Sequence, residues 1–208
     1  MFYSTWLARL MALPFIDPPK SAFFSHLIFG VACRFVVWFL LPTAWIILIE
    51  KRALASALHP VERYSIRFVS ALTVLLTAVL ILGIRLTRGH WFIIPAGHST
   101  LEYLLFVVGV GLLALGEEFT FRGVFLSGLL RSGFPFWRAN AIAAAAFALS
   151  HWPGWLMFGG MPLIDLLTAT VRVFVFGYVM GGLVRVEGGL IAAISIHTFN
   201  DVLVGTLL

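Results

Sequence analysis

The chain is short of charge. Acidic and basic residues together make up 11% of it, against about 25% in an average soluble domain. With 61% of its 208 residues hydrophobic, an ordinary water-soluble enzyme is excluded and a polytopic membrane protein is indicated, with no room for a second folded module. Cysteine is nearly absent. The single Cys33 excludes an intrachain disulfide and a cysteine-based metal cluster. Its neighbours, Val31, Ala32, Arg34 and Phe35, offer no base, so it reads as a small packing residue and not as a nucleophile. Internal repeats and low-complexity tracts are missing. So is a basic patch: the net charge of +5 comes from Lys and Arg scattered at the edges of apolar runs. That pattern sets membrane topology and speaks against nucleic acid as a partner. The first fifteen residues have no basic stretch before an apolar core and no small-x-small cleavage site, so no signal peptide is expected. Trp6, Leu7, Leu10 and Met11 fit an interfacial helix that Asp17-Pro18-Pro19 would end. The final residues, Gly205 to Leu208, hold no lipidation box.

What is abundant is apolar sequence in long runs. A spanning helix needs about 20 such residues, and six segments qualify in whole or part, at about 22–49, 65–86, 100–130, 137–152, 162–184 and 189–207. The first is overlong, with a bend expected near Pro42, and the fourth is short. The expectation is an all-α membrane helix bundle of about six transmembrane helices, one domain over 1–208, with N-terminal helices in 1–99 and a catalytic core in 100–208. Gly109, Gly111, Gly116, Gly123 and Gly128 recur in the third segment, and Gly177, Gly181 and Gly182 in the fifth. Small residues let helices approach closely in lipid, so these read as intramolecular packing positions. Gly188-Gly189 marks a tight turn. Lys51, Arg52, Arg63, Arg67, Arg131, Arg138 and Arg185 fall on one side of the membrane, and Arg9, Lys20, Arg85 and Arg88 on the other. The larger set is expected in the cytoplasm, with both termini outside.

Against this background the few intramembrane charges stand out. Each costs about 2.5–3.5 kcal/mol on insertion scales, yet Glu117, Glu118 and Arg122 lie within six residues of one another. Glu118 and Arg122 are i and i+4, share a helical face and can pair. Glu117 is rotated about 100° away, which leaves one carboxylate available in an apolar setting, as suits a general base. Phe147 and His151 repeat the i, i+4 spacing in the fourth segment, and His197 and Asp201 in the sixth, with Asn200 on a neighbouring face. Taken alone, a membrane histidine is more often a hydrogen-bonded packing residue, and a Glu–Arg pair a structural tie. Three such elements on three helices shift the balance towards chemistry.

Glu117-Glu118-x-x-x-Arg122, then Phe147-x-x-x-His151, then His197-x-x-x-Asp201, in that order, resemble the three motifs of the CAAX protease and bacteriocin-processing (CPBP, or Abi) membrane proteins. Phe121-Arg122-Gly123 and the apolar run into His197 fit as well. The resemblance covers roughly residues 101–208. It implies a glutamic-type intramembrane endopeptidase in which Glu117 and His151 activate a water, His197 and Asp201 stabilise the oxyanion, and Glu118 and Arg122 shape the site. An ionised Asp201 cannot donate a hydrogen bond, so the expectation is that it orients His197, with Asn200 as a substitute donor. Arg172, a further charge in the fifth segment, is expected to tie to Glu118 or to meet a substrate carboxylate.

Two glutamates and two histidines are also a zinc-type donor set. The His-Glu-x-x-His spacing is absent and Glu118 is expected to be taken by Arg122, so no cofactor is expected, with zinc as the open alternative. The expected partners are the lipid bilayer and a membrane-anchored or lipidated peptide or protein. The expected location is multi-pass in a bacterial inner membrane. C-terminal sorting-signal and leader-peptide processing are candidate tasks. A small proton-coupled transporter is a second reading, since midplane Glu and His can relay protons, although no inverted repeat or paired broken helices are seen. A noncatalytic membrane scaffold or immunity protein is a third. By helix arithmetic the cavity opens extracytoplasmically, under the aromatic loop 152–160.

Overall fold

The computed structural model describes Ala32 and residues 34–58, 100–157 and 161–207. Every regular element among them is helical. The expected span 65–86, the interfacial helix, Cys33 and the cations Arg9, Lys20, Arg63, Arg67, Arg85 and Arg88 lie outside the described residues. Helix α1 (Val36–Ile49) carries one α turn, Leu41–Ala44, between two π-helical stretches, Val36–Leu40 and Trp45–Ile49. Pro42, which has no ladder donor, sits in that central turn. A short α2 (Ala55–Leu58) follows.

Helix α3 fills residues 100–131. It is α-helical over Thr100–Glu118, widens to i→i+5 turns over Phe119–Leu126, and closes with an α turn at Ser127–Arg131. Then come α4 (Phe136–Leu149), α5 (Trp152–Met157), α6 (Leu163–Glu187) and α7 (Ile191–Leu207). Among the described residues, two stretches are long and apolar enough to cross a membrane, Leu104–Arg131 and Leu163–Val186. Only 17% of the apolar window in the second is buried, unlike a soluble core helix. Leu163, Ile164, Leu167, Val171, Val175 and Val179 lie exposed along it, an apolar surface suited to lipid.

Helix ends follow local chemistry. Pro135 and Pro162 stand just before α4 and α6, where a missing N–H costs nothing. The fifth segment runs to Glu187, beyond the expected 184, because Gly188 (φ +77) is the residue that adopts the left-handed cap. The fourth stops at Leu149, so His151 lies in the turn between α4 and α5.

Small residues set the spacing. Ala139, Ala143, Ala144 and Ala148 are buried on α4. Across from them, a Cβ on Gly177 would press on Phe147, Arg122 and Ala144, and one on Gly181 would collide with the Asn140 amide. Asn140 Nδ2 donates to the Tyr178 carbonyl at 2.9 Å, which fixes α4 to α6. A core of Ile46, Phe119, Met180, Val184, Leu190 and Ala193 joins α1, α3, α6 and α7 near the α6–α7 turn.

At the same end, Glu50 accepts from Trp45 Nε1 (3.1 Å), Arg131 Nη2 (3.0 Å) and Arg52. Burial pushes the Glu50 carboxyl up, but the hydrogen bonds from Arg52 and Trp45 and the charges of Arg52 and Arg131 outweigh it and hold the group below its ordinary range. Residues 50–58 are thus held against α3. There a Cβ on Gly123 would sit 2.6 Å from the Ala57 carbonyl oxygen, a backbone atom that no rotamer change can move. Gly123→Ala is expected to destabilise the fold by about 1–3 kcal/mol, read as a lowered thermal midpoint in detergent. Gly182→Ala, where a Cβ meets nothing within 4 Å, is the matched control and should stay near wild type.

Candidate active site

Glu117 and Glu118 are the last α-helical residues of α3 before the wide turns begin. Their side chains part company there. Glu118 is fully buried and pairs with Arg122, Nη1 to Oε1 at 3.0 Å. Arg122 is itself buried, donates from Nη2 to the Gly177 carbonyl at 2.9 Å, and lies 4.6 Å over the Phe147 ring. Glycine at 177 serves that bond, because a Cβ there would be 3.1 Å from Nη2. The second carboxylate oxygen of Glu118, Oε2, is buried with no hydrogen-bond partner among the described residues.

His197 of α7 joins the two glutamates. Its Nδ1 is 2.8 Å from Glu118 Oε1. A carboxylate only accepts, so Nδ1 carries the hydrogen. The opposite nitrogen, Nε2, faces Glu117 Oε2 at 3.7 Å and Asp201 Oδ2 at 3.5 Å. The two glutamates therefore meet different edges of one imidazole, in keeping with their rotation about the helix. Glu117 keeps some exposure, 14% of its side chain, and makes no hydrogen bond among the described residues. The expected orienting partner of His197 was Asp201. In the structure Glu118 is nearer, at 2.8 Å against 3.5 Å. Asp201 in turn accepts from Asn200 Nδ2 at 3.0 Å.

His151 is held from the other side. Its Nδ1 lies 2.8 Å from the Phe147 carbonyl, which also accepts from Ser150 Oγ. A carbonyl cannot donate, so Nδ1–H is the donor, and in the neutral imidazole Nε2 is then the acceptor. The Phe147 ring, buried at the centre, meets both histidines edge-on, with centroids 4.9 Å from His151 and 5.8 Å from His197. Trp155 of α5 covers His151 at 5.3 Å. Trp152 Nε1 donates to Thr170 Oγ1 of α6 at 2.8 Å, so this short helix is latched across the cleft.

The structure thus brings Glu117, Glu118, Arg122, His197 and Asp201 into direct contact, with Asn200 on Asp201 and His151 joined through Phe147. Arg172 is not among them. It is exposed on α6, and the Glu118 partners are Arg122 and His197. Sequence reasoning missed two contributors. Phe176 packs on His197 at 5.1 Å, and the Gly177 carbonyl completes the bonding of Arg122. A glycine opposite a buried arginine was the available signal for the second. Among the described residues, no group of three or more His, Cys, Asp or Glu is placed to hold a metal ion.

A family model described as type II CAAX prenyl endopeptidase Rce1-like matches residues 97–203, just over half of the chain and all of the residues above. No curated protein and no solved structure matches the chain.

Proposed function

The chain belongs to the Rce1-like family of type II CAAX prenyl endopeptidases, integral membrane peptidases, and from that premise we propose that it is a glutamic-type intramembrane endopeptidase acting near the C-terminus of a membrane-anchored, lipidated tail. In a CAAX tail the cysteine carries the lipid, and cleavage after it would release the last three residues.

The observation that carries the mechanism is the contrast between the two glutamates. Glu118 is spent on Arg122 and His197. Glu117 is not spent, and it faces the His197 Nε2 edge with solvent access. We assign Glu117 as general base. It takes a proton from a water that Nε2 of the neutral His151, opposite the Nδ1–H held by the Phe147 carbonyl, helps to hold. The water oxygen bonds to the scissile carbonyl carbon. The oxyanion forms against His197, whose imidazolium form donates from both nitrogens, one of them pinned by Glu118. Glu117 then returns the proton to the amide nitrogen as the C–N bond breaks. Asp201 and Asn200 flank the oxyanion position. No metal takes part.

Depth supports an intramembrane site. Glu117 lies about 20 Å along α3 from Arg131 at about 1.5 Å per residue, well inside an apolar layer about 30 Å thick. Arg131 bonds Glu50, and Arg185 lies over Phe136 and Trp137, so these cations mark one end. The positive-inside rule assigns that end to the cytoplasm, which turns the cleft under α5 outward. We place the protein as a multi-pass protein of a bacterial inner membrane.

The test is cleavage by the purified protein in detergent. Lipidated tail peptides are supplied, products are read by mass spectrometry, and a strong chelator is present or absent. A single cut after the lipidated cysteine that persists in chelator is the expected result. Cleavage lost to chelator and restored by zinc would replace the glutamic mechanism with a zinc one. A folded protein that cuts nothing, yet moves protons across vesicles, would make it a carrier.

A further inference from the structure

We propose that Arg172 is a specificity-determining residue that receives the free C-terminal carboxylate of the substrate tail, an inference that rests on the peptidase reading above. Asp165 and Arg185 sit in the first and last turns of α6. Arg172 is the charge left in its interior, within the apolar span Leu163–Val186. It is exposed, and among the described residues it has no hydrogen-bond or ion-pair partner. Its function in an apolar helix is therefore not met by a contact within the described protein.

Its place in the fold points to the substrate. Arg172 lies one helical turn before Phe176, the residue packed on His197. Asp201 lies one turn after His197. Because α6 and α7 run antiparallel through the Gly188 turn, Arg172 and Asp201 come to the same level, on the side where α5 covers the cleft. The reach also agrees. Three extended residues beyond a scissile bond at His197 span about 10 Å. One helical turn is about 5.4 Å, and an arginine side chain bridges the remainder. The carboxylate is the only charge on a tail of two aliphatic residues and one other, and the planar guanidinium fork matches it bidentately. A lipid phosphate has the same anionic chemistry and is separated from the carboxylate by the test.

The experiment compares one lipidated peptide as free acid and as C-terminal amide, with wild type, Arg172→Gln and Arg172→Lys, in phosphate-free detergent. Wild type is expected to prefer the acid by about 10–100-fold in kcat/KM, the range for a charge-assisted hydrogen bond, with the difference in KM. The preference should collapse to about 1 in Arg172→Gln and return in part in Arg172→Lys. On wild type alone, the acid form of the released three-residue tail should inhibit and its amide should not. Equal cleavage of acid and amide by wild type, or a preference that survives in Arg172→Gln, overturns the proposal while leaving the peptidase intact. An effect of Arg172→Gln seen only in phospholipid vesicles assigns the anion to lipid headgroups and also overturns it. Failure of wild type to cut either peptide removes the peptidase reading itself.

Discussion

Glu117→Gln is expected to erase cleavage while the fold stands. Loss of a positioned general base costs about 10²–10⁴ in rate, and here the same carboxylate would serve as base and then acid, so turnover should drop to background. Stability should change little, within about 0.5 kcal/mol. The side chain is partly exposed, its nearest ionic neighbour is 3.7 Å away, and glutamine keeps its shape. Removing the charge also relieves the repulsion between Glu117 and Asp201 across the His197 nitrogen that both face. Cleavage assays and thermal unfolding on the same sample check this. A Glu117→Gln protein that still cuts at more than a tenth of the wild-type rate would remove Glu117 from the reaction.

Glu118→Ala, one residue along, should give the opposite phenotype: a protein that fails to stay folded. Its removal leaves Arg122 buried with the Gly177 carbonyl as its one hydrogen-bond acceptor among the described residues. Breaking a buried pair in this way costs about 3–5 kcal/mol, much of the stability of a domain. His197 loses its Nδ1 anchor at the same time. The paired change Glu118→Met with Arg122→Met removes both charges together, and buried pairs replaced by apolar groups of similar volume are often tolerated. It should recover much of the lost stability but not activity, because the imidazole is still unheld. Unfolding midpoints of the single and double variants, set in a double-mutant cycle, are the measurement. A Glu118→Ala protein as stable as wild type would mean that the ion pair contributes nothing to the fold.

The helical class, the rough extents of the last four apolar segments and the Glu118–Arg122 pair were legible because they depend on local rules, whereas the far ends of the fourth and fifth segments, at Leu149 and Glu187, were not. Hydropathy gives length, and i and i+4 give a shared face. The wide turns over Phe119–Leu126 were not legible, since apolar residues fit either winding. Nor was the attachment of His197 to Glu118 in preference to Asp201, because it joins residues 79 apart in sequence and depends on how α3 meets α7. The carbonyl of Gly177 escaped because a backbone acceptor has no residue type. The expected tie of Arg172 to Glu118 did not form, because spacing says which residues share a face of a helix, not what that face looks upon.

Phe147 lies under the Arg122 guanidinium and at the edges of His151 and His197. One ring thus touches groups supplied by two separate helices, α3 and α7, and by the turn between α4 and α5. Any change that shifts it moves all three together, so the effects of substitutions at 122, 151 and 197 will not add. Once the first is disturbed, the second has less left to lose. The ring therefore acts as a common keystone, and a substitution at Phe147 should disturb the arginine and both histidines in one step.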